Sequence, residues 1–220
     1  MTTTIDEAAW DQVRDRTEER PARTSAHDSD DQRLVARLRA GEADAVEDLY
    51  HAYRKPIFGF LVRLAKDRNV AEDLFQNTWL KVSRSACRLR DDTELKAWIF
   101  TVARNEFRSY RRWQLVDLSR LFLFYRESEE PEREPRGDSD ESIALEEIER
   151  GLAGLGASDR EVLLLVCVEG MLAQQAATVL GISHAALRKR LGRARSRLKD
   201  ALAKLESASA APKRAPARKP

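Results

Sequence analysis

The sequence predicts an all-α protein: two small helical domains joined by a flexible acidic linker, the C-terminal one a helix-turn-helix. Three observations predict it. From Asp30 onward apolar residues recur at helical spacing, and no run alternates as a half-buried strand does. The charges segregate by sign, with "ARNEFRSYRRW" and "LRKRLGRARSRLK" basic and "ESEEPEREPRGDSDESIALEEIE" strongly acidic. Near the C-terminus Gly181 separates a short apolar segment from a long basic one, the spacing of two helices that cross through a tight turn.

Taken in order, residues 1–28 are polar, carry Pro21 and lack periodicity, and are expected to be a disordered extension. A first helical domain is expected over 29–114. It opens with a short helix, breaks at Gly41 and continues as a longer helix with Ala45, Leu49, Tyr53, Ile57, Phe60, Leu61 and Leu64 on one face. Pro56 lies inside that helix, where it either kinks the chain or sits where its missing donor is tolerated. "NVAEDLFQNTWLKVSRSA" starts the next helix, with Asn69 as N-cap and Glu72 three residues on. After the polar loop "CRLRDDTE" comes the helix "LKAWIFTVARNEFRSYRRWQ", and the domain is expected to end near Trp113.

The linker, 115–140, opens with the apolar stretch "LVDLSRLFLFYRE", a segment suited to docking on the protein or on a partner, and continues through Pro131, Pro135 and Gly137. A second domain is expected over 141–204. "SIALEEIERGLAGL" reads as a helix. "SDREVLLLVCVEG" reads as another, with a Ser158/Glu161 capping box and Gly170 at its C-terminal cap. "AQQAATVL" is short and ends at Gly181. Residues 205–220, rich in Ala, Pro, Lys and Arg, are expected to be a disordered tail that adds only nonspecific attraction to a polyanion.

The last helix carries the strongest functional signal. Leu187, Leu191, Ala194 and Leu198 define its buried stripe, which turns Arg188, Lys189, Arg193, Arg195 and Arg197 outward. Ser183 is placed to cap it. With Ala177 and Gly181 allowing the preceding helix to cross closely, this is the arrangement that enters a DNA major groove. Arg188 and Lys189 suit base edges, and Arg193 and Arg195 suit phosphates. His184 either approaches a base or phosphate or is simply exposed at the helix start. In the first domain Arg104, Arg108 and Arg112 share one helix face beside Trp98, Tyr110 and Trp113, a combination that can hold unpaired nucleic acid.

Other classes are poorly supported. Formal net charge is only +2, from 39 Lys+Arg against 37 Asp+Glu, so attraction to a polyanion must come from the local basic patches. His27, His51 and His184 are scattered, and neither Cys87 nor Cys167 has a Cys or His at metal-ligand spacing, so no metal site or cofactor is expected. No Ser or Tyr nucleophile sits among clustered arginines or carboxylates, which argues against a recombinase-like enzyme. No apolar run approaches the roughly 20 residues of a spanning helix, and the N-terminus lacks the pattern of a secretory signal. A cytoplasmic protein without membrane insertion is expected.

"AEDLFQNTWLKV", "LKAWIFTVARNEFRSYRR" and "SDREVLLLVCVEGMLAQQAATVLGISHAALRKRLGRARSRL", in this order, resemble the extracytoplasmic-function sigma factors, small two-domain initiation factors of bacterial RNA polymerase. The likeness covers about 31–202, most of the linker excepted. It implies a promoter-specificity subunit with no chemistry of its own, which binds core polymerase through the β′ clamp and β, and binds promoter DNA as duplex and as single strand. Asp73, Leu74, Gln76 and Trp79 match the polymerase-binding helix. Arg88, Trp98, Arg104, Asn105, Arg108, Arg111 and Arg112 match the part that opens the minus-ten element and captures a flipped base. Ser183, His184, Arg188, Lys189, Arg190, Arg193 and Arg195 match the reader of the minus-thirty-five duplex. An anti-sigma factor is a further partner implied by the family.

This chain departs from the pattern at Gln174, Gln175 and Ala176, where acidic residues and a large aliphatic are usual, which predicts looser packing of that helix. Ser109 stands where Asp is common, Gly192 replaces a larger residue, and the loop lacks the usual Phe-Arg-Gly. The alternative reading is a stand-alone helix-turn-helix regulator, which would bind DNA without polymerase.

Overall fold

A computed structural model describes residues 24–121 and 148–209, all of whose regular elements are helical. The expected linker core and most of both terminal extensions lie outside the described residues. No helix among the described residues is long and apolar enough to cross a membrane.

Helix α1 (Thr24–Ala40) begins inside the stretch read as an extension and ends at Gly41, whose φ of 77° reverses the chain. Helix α2 (Ala43–Ala65) buries the seven residues of the expected stripe and runs through Pro56 without interruption. Arg37 clamps the corner between the two helices, reaching Glu42 at 2.8 Å and Asp48 at 2.6 Å. Helix α3 (Arg68–Ser85) is capped by Asp67, whose carboxylate accepts from the Asn69 and Val70 amides. Asn69 is therefore not the cap: Asp67, two residues upstream, takes that place with an acceptor suited to the first free N–H groups. A 3-10 turn (Ala86–Arg88) leads to the loop and then to helix α4 (Leu95–Leu121).

Helix α4 does not stop near Trp113. Its helical conformation continues through "LVDLSRL", a run without Gly or Pro to end it. Phe60 and Phe100 meet edge to face with centroids 5.3 Å apart at the centre of the first domain, and both are fully buried.

The second domain opens with helix α5, described over 148–154. A Cβ on Gly151 would lie 2.8 Å from a Leu202 methyl, so the glycine lets α5 pack closely on the last helix. Helix α6 (Ala157–Leu163) is capped by Gly156, not by a Ser158 box. The expected box fails because Glu161 is drawn inward to an arginine instead of back to the helix start. Helix α6 then widens into a π turn (Leu164–Val168), beyond which Gly170 takes the expected left-handed conformation at φ 61°. Helix α7 (Ala173–Leu180) and helix α8 (His184–Ser209) form the helix-turn-helix, with Gly181 left-handed at φ 63°.

The two domains pack against each other. Helix α4 lies along α7, and α2 touches α6.

Candidate nucleic-acid and polymerase interfaces

The helix-turn-helix is built as its sequence requires. Leu187, Leu191, Ala194 and Leu198 are buried against α6 and α7. The Ser183 hydroxyl accepts from the Ala186 amide at 3.2 Å, fixing the start of α8. At the positions where the sequence departs from the pattern it resembles, Ala176 is fully buried, and the Gln175 side chain accepts from the Leu172 amide at 3.1 Å to cap α7. An open cleft lined by Gln174, Thr178, Gly181, Ser183 and His184 runs along the mouth of the motif.

Ser183, His184, Arg188, Lys189 and Arg193 are exposed on one side of α8, and Arg190 is half-buried at its edge. Arg195 is different. Two of its guanidinium nitrogens are buried, and it hydrogen-bonds the Cys167 thiol, which burial pushes up while Arg195 draws it down. Part of its guanidinium is thereby turned into the domain. Arg197 is exposed, as expected, and ion-paired with Asp159.

Along α4, Asn105, Arg108, Arg111, Arg112 and Trp113 are exposed, and Trp113 is 62% open to solvent. Arg111 lies 6.0 Å from the centre of the Phe107 ring. Arg88 is exposed on the 3-10 turn, and Trp98 packs half-buried on the core. Arg104 does not join this surface. It is 7% exposed, donates to Glu161 at 3.4 Å and to the Val179 carbonyl at 3.1 Å, and so faces the second domain. Burial holds its guanidinium below the usual arginine range, opposed by the Glu161 carboxylate.

On α3, Asp73 and Gln76 are exposed one turn apart. Leu74 is only 4% exposed and belongs to the core, so it offers no surface to a partner. Trp79 is half-buried in an aromatic cluster, 4.8 Å from Tyr50 and 6.0 Å from Phe75, and its indole N–H has no partner among the described residues. Leu80 beside it is 52% exposed.

The contacts that sequence reading missed lie in "SDRE". Asp159, Arg160 and Glu161 are all buried. The Arg160 guanidinium donates to the carbonyls of Leu152 at 2.9 Å, Ala153 at 3.2 Å and Leu155 at 2.6 Å, and across the domain boundary to Leu64 at 2.9 Å. One side chain thereby caps the C-terminal ends of α5 and α2 together. No local signal marks Arg160 for this role, since it stands in the last turn of α6, where a cation is ordinary.

This is a two-domain helical protein with a DNA-reading motif and a separate basic-aromatic face. Comparison with known proteins agrees. Residues 49–114 match the sigma-70 region 2 family and residues 145–198 the sigma-70, region 4 family. The RNA polymerase sigma factor CarQ of Myxococcus xanthus is 33% identical over 173 residues, covering 78% of this chain and 97% of CarQ. The ECF RNA polymerase sigma factor SigM of Bacillus subtilis is 28% identical over 160 residues, covering 70% of this chain and 93% of SigM. Among solved structures, the sigma factor RpoE in complex with the anti-sigma factor NepR from Bartonella quintana matches with a TM-score of 0.60 at 28% identity, over 71% of this chain and 98% of that one.

The chain belongs to the extracytoplasmic-function sigma factors of the sigma-70 family. As such it is a non-enzymatic subunit that binds core RNA polymerase and promoter DNA to initiate transcription, and the stand-alone regulator is set aside.

Proposed function

We propose a division of labour among three surfaces of this sigma factor. Asp73 and Gln76, with the Trp79 cluster beneath them, grip the polymerase β′ clamp. The exposed row Asn105, Arg108, Arg111, Arg112 and Trp113, with Arg88 and the edge of Trp98, holds the opened minus-ten strand. Ser183, His184, Arg188, Lys189 and Arg193, flanked by Arg190, read the minus-thirty-five duplex. The proposed domain limits follow the sequence at 29–114 and 141–204, joined by 115–140, with function in the cytoplasm.

The observation that carries this reading is the sorting of polar side chains. Asp73 and Gln76 are exposed together in the middle of α3, whose exposed cations Arg68, Lys81 and Arg84 lie toward its two ends, whereas guanidinium groups are exposed along α4 and α8 and the Trp113 ring on α4. A basic protein surface and a polyanion are bound by opposite charges, so these faces suit different partners.

An anti-sigma factor is the proposed regulator, on the analogy of the RpoE–NepR complex. Size-exclusion co-elution with sigma-free core polymerase tests the first assignment. Asp73→Ala and Gln76→Ala should each weaken co-elution and leave the fold intact. Undiminished co-elution of the double variant would remove these residues from the interface.

A further inference from the structure

Two of the helical glycines have a neighbour to make way for. A Cβ on Gly151 would strike Leu202, and one on Gly59 would lie 3.0 Å from the Arg63 guanidinium. Gly192, in the interior of α8, makes way for nothing in the chain. A Cβ there meets no atom within 4 Å, the residue is exposed, and its φ is not positive. Glycine is the poorest helix former after proline, so alanine at 192 would strengthen α8 without meeting another part of the protein.

Helix geometry sets what the missing side chain leaves open. At 3.6 residues per turn, position 192 lies about 40° around the axis from Arg188 and about 60° from Lys189, between the two and one turn beyond them. A helical side chain leans toward the N-terminal end, so a long side chain at 192 would lie over that preceding turn and fill the space between the two cations. Arg188 and Lys189 are exposed, and so are Ala185 and Ser196, which lie on the same side and are too short to fill it. The buried stripe of Leu187, Leu191, Ala194 and Leu198 turns this side of α8 away from the domain. The result is a notch with bare backbone for its floor and a cation on each wall.

We propose that Gly192 is a specificity-determining residue of the duplex reader: its missing side chain admits the edge of one base pair between Arg188 and Lys189, so that both cations reach acceptor atoms on it. A helix with its side chains is about 10–12 Å across and the major groove is about 12 Å wide, so the side chains on the leading face decide how closely the backbone approaches the bases. With the notch filled, α8 stands off, and the two cations are left to phosphates, which position a protein but carry no sequence. Gly192 thus acts through its neighbours, as a positioning residue. The inference rests on the assignment of α8 to the minus-thirty-five duplex made above.

Selection of a random-sequence duplex library on the holoenzyme, this chain with core polymerase, yields the enriched upstream sequence. Fluorescence anisotropy with the same holoenzyme then gives the ratio of affinity for that duplex over a scrambled one. Gly192→Leu fills the notch with a good helix former and should lower the ratio at least about tenfold, leaving scrambled-duplex binding within about twofold. Gly192→Ala should lower it less, while raising the thermal midpoint of the free chain by about 2–4 °C, so that reading is lost as the fold gains stability. In an Arg188→Ala background Gly192→Leu should change the ratio less than about threefold, since one of the two side chains it positions is gone.

A ratio unchanged by Gly192→Leu but lowered by Arg188→Ala would overturn the notch and leave the minus-thirty-five assignment standing. Equal weakening on both duplexes, or an undiminished effect of Gly192→Leu in the Arg188→Ala background, would also overturn it, because the glycine would then serve docking in general. A ratio that neither substitution lowers would overturn the assignment itself, and the inference with it.

Discussion

Arg160→Met tests the boundary between the two domains at its most connected point. Arg160 is 4% exposed and makes four hydrogen bonds to main-chain carbonyls, three within its own domain and one to Leu64. A hydrogen bond to a charged group is worth about 1.5–3 kcal/mol net, and each buried carbonyl left alone costs about 1–3 kcal/mol. Against this, methionine spares the desolvation of a cation, the effect that holds this guanidinium below the usual arginine range. Four carbonyl partners lost together, less the desolvation that methionine spares, are expected to cost about 3–5 kcal/mol. For a chain of this size it corresponds to a fall in Tm of about 6–20 °C. Scanning calorimetry measures it, with Arg160→Lys expected to fall between, because one ammonium cannot reproduce the spread of the guanidinium fork. A loss under about 1 kcal/mol for Arg160→Met would refute the capping role.

On the recognition helix, Arg188→Ala should cost about 1–3 kcal/mol of sequence-selective duplex binding, whereas Arg193→Ala should weaken all sequences alike and lower the salt slope by about one; fluorescence anisotropy across a salt series separates the two. Gly181→Ala meets no atom within 4 Å, so its cost is conformational, about 1–2 kcal/mol for an L-residue at φ 63°, read from urea unfolding. Burial lowers the Lys96 ammonium from its ordinary value. The folded chain then binds fewer protons than the unfolded chain between that lowered value and about 10.4, so unfolding free energy should rise with pH across this window, and Lys96→Met should flatten the rise.

Helical architecture was legible because periodicity reports burial within a single element. The stripe from Ala45 to Leu64 and the stripe from Leu187 to Leu198 are buried as read. Gly181 was legible for the same local reason, since the turn demands positive φ. What escaped was set between elements. Arg104 shares a helical face with Arg108 and Arg112, and the packing of α6 and α7 over it removes it from solvent. Leu74 fits an interface motif and a core position equally well in sequence, and α2 and α4 around it decide for the core. Arg195 follows the basic pattern of α8, yet the π turn brings Cys167 beside it. At α3, Asp67 and Asn69 are both good caps, and the helix starts at the earlier one.

Run-off transcription by core polymerase on genomic fragments of the source bacterium, with and without this chain, tests the central claim most directly. The account predicts chain-dependent start sites that share two elements at a fixed spacing, with Arg188→Ala altering only the upstream element. Start sites indistinguishable from those of core polymerase alone would contradict it.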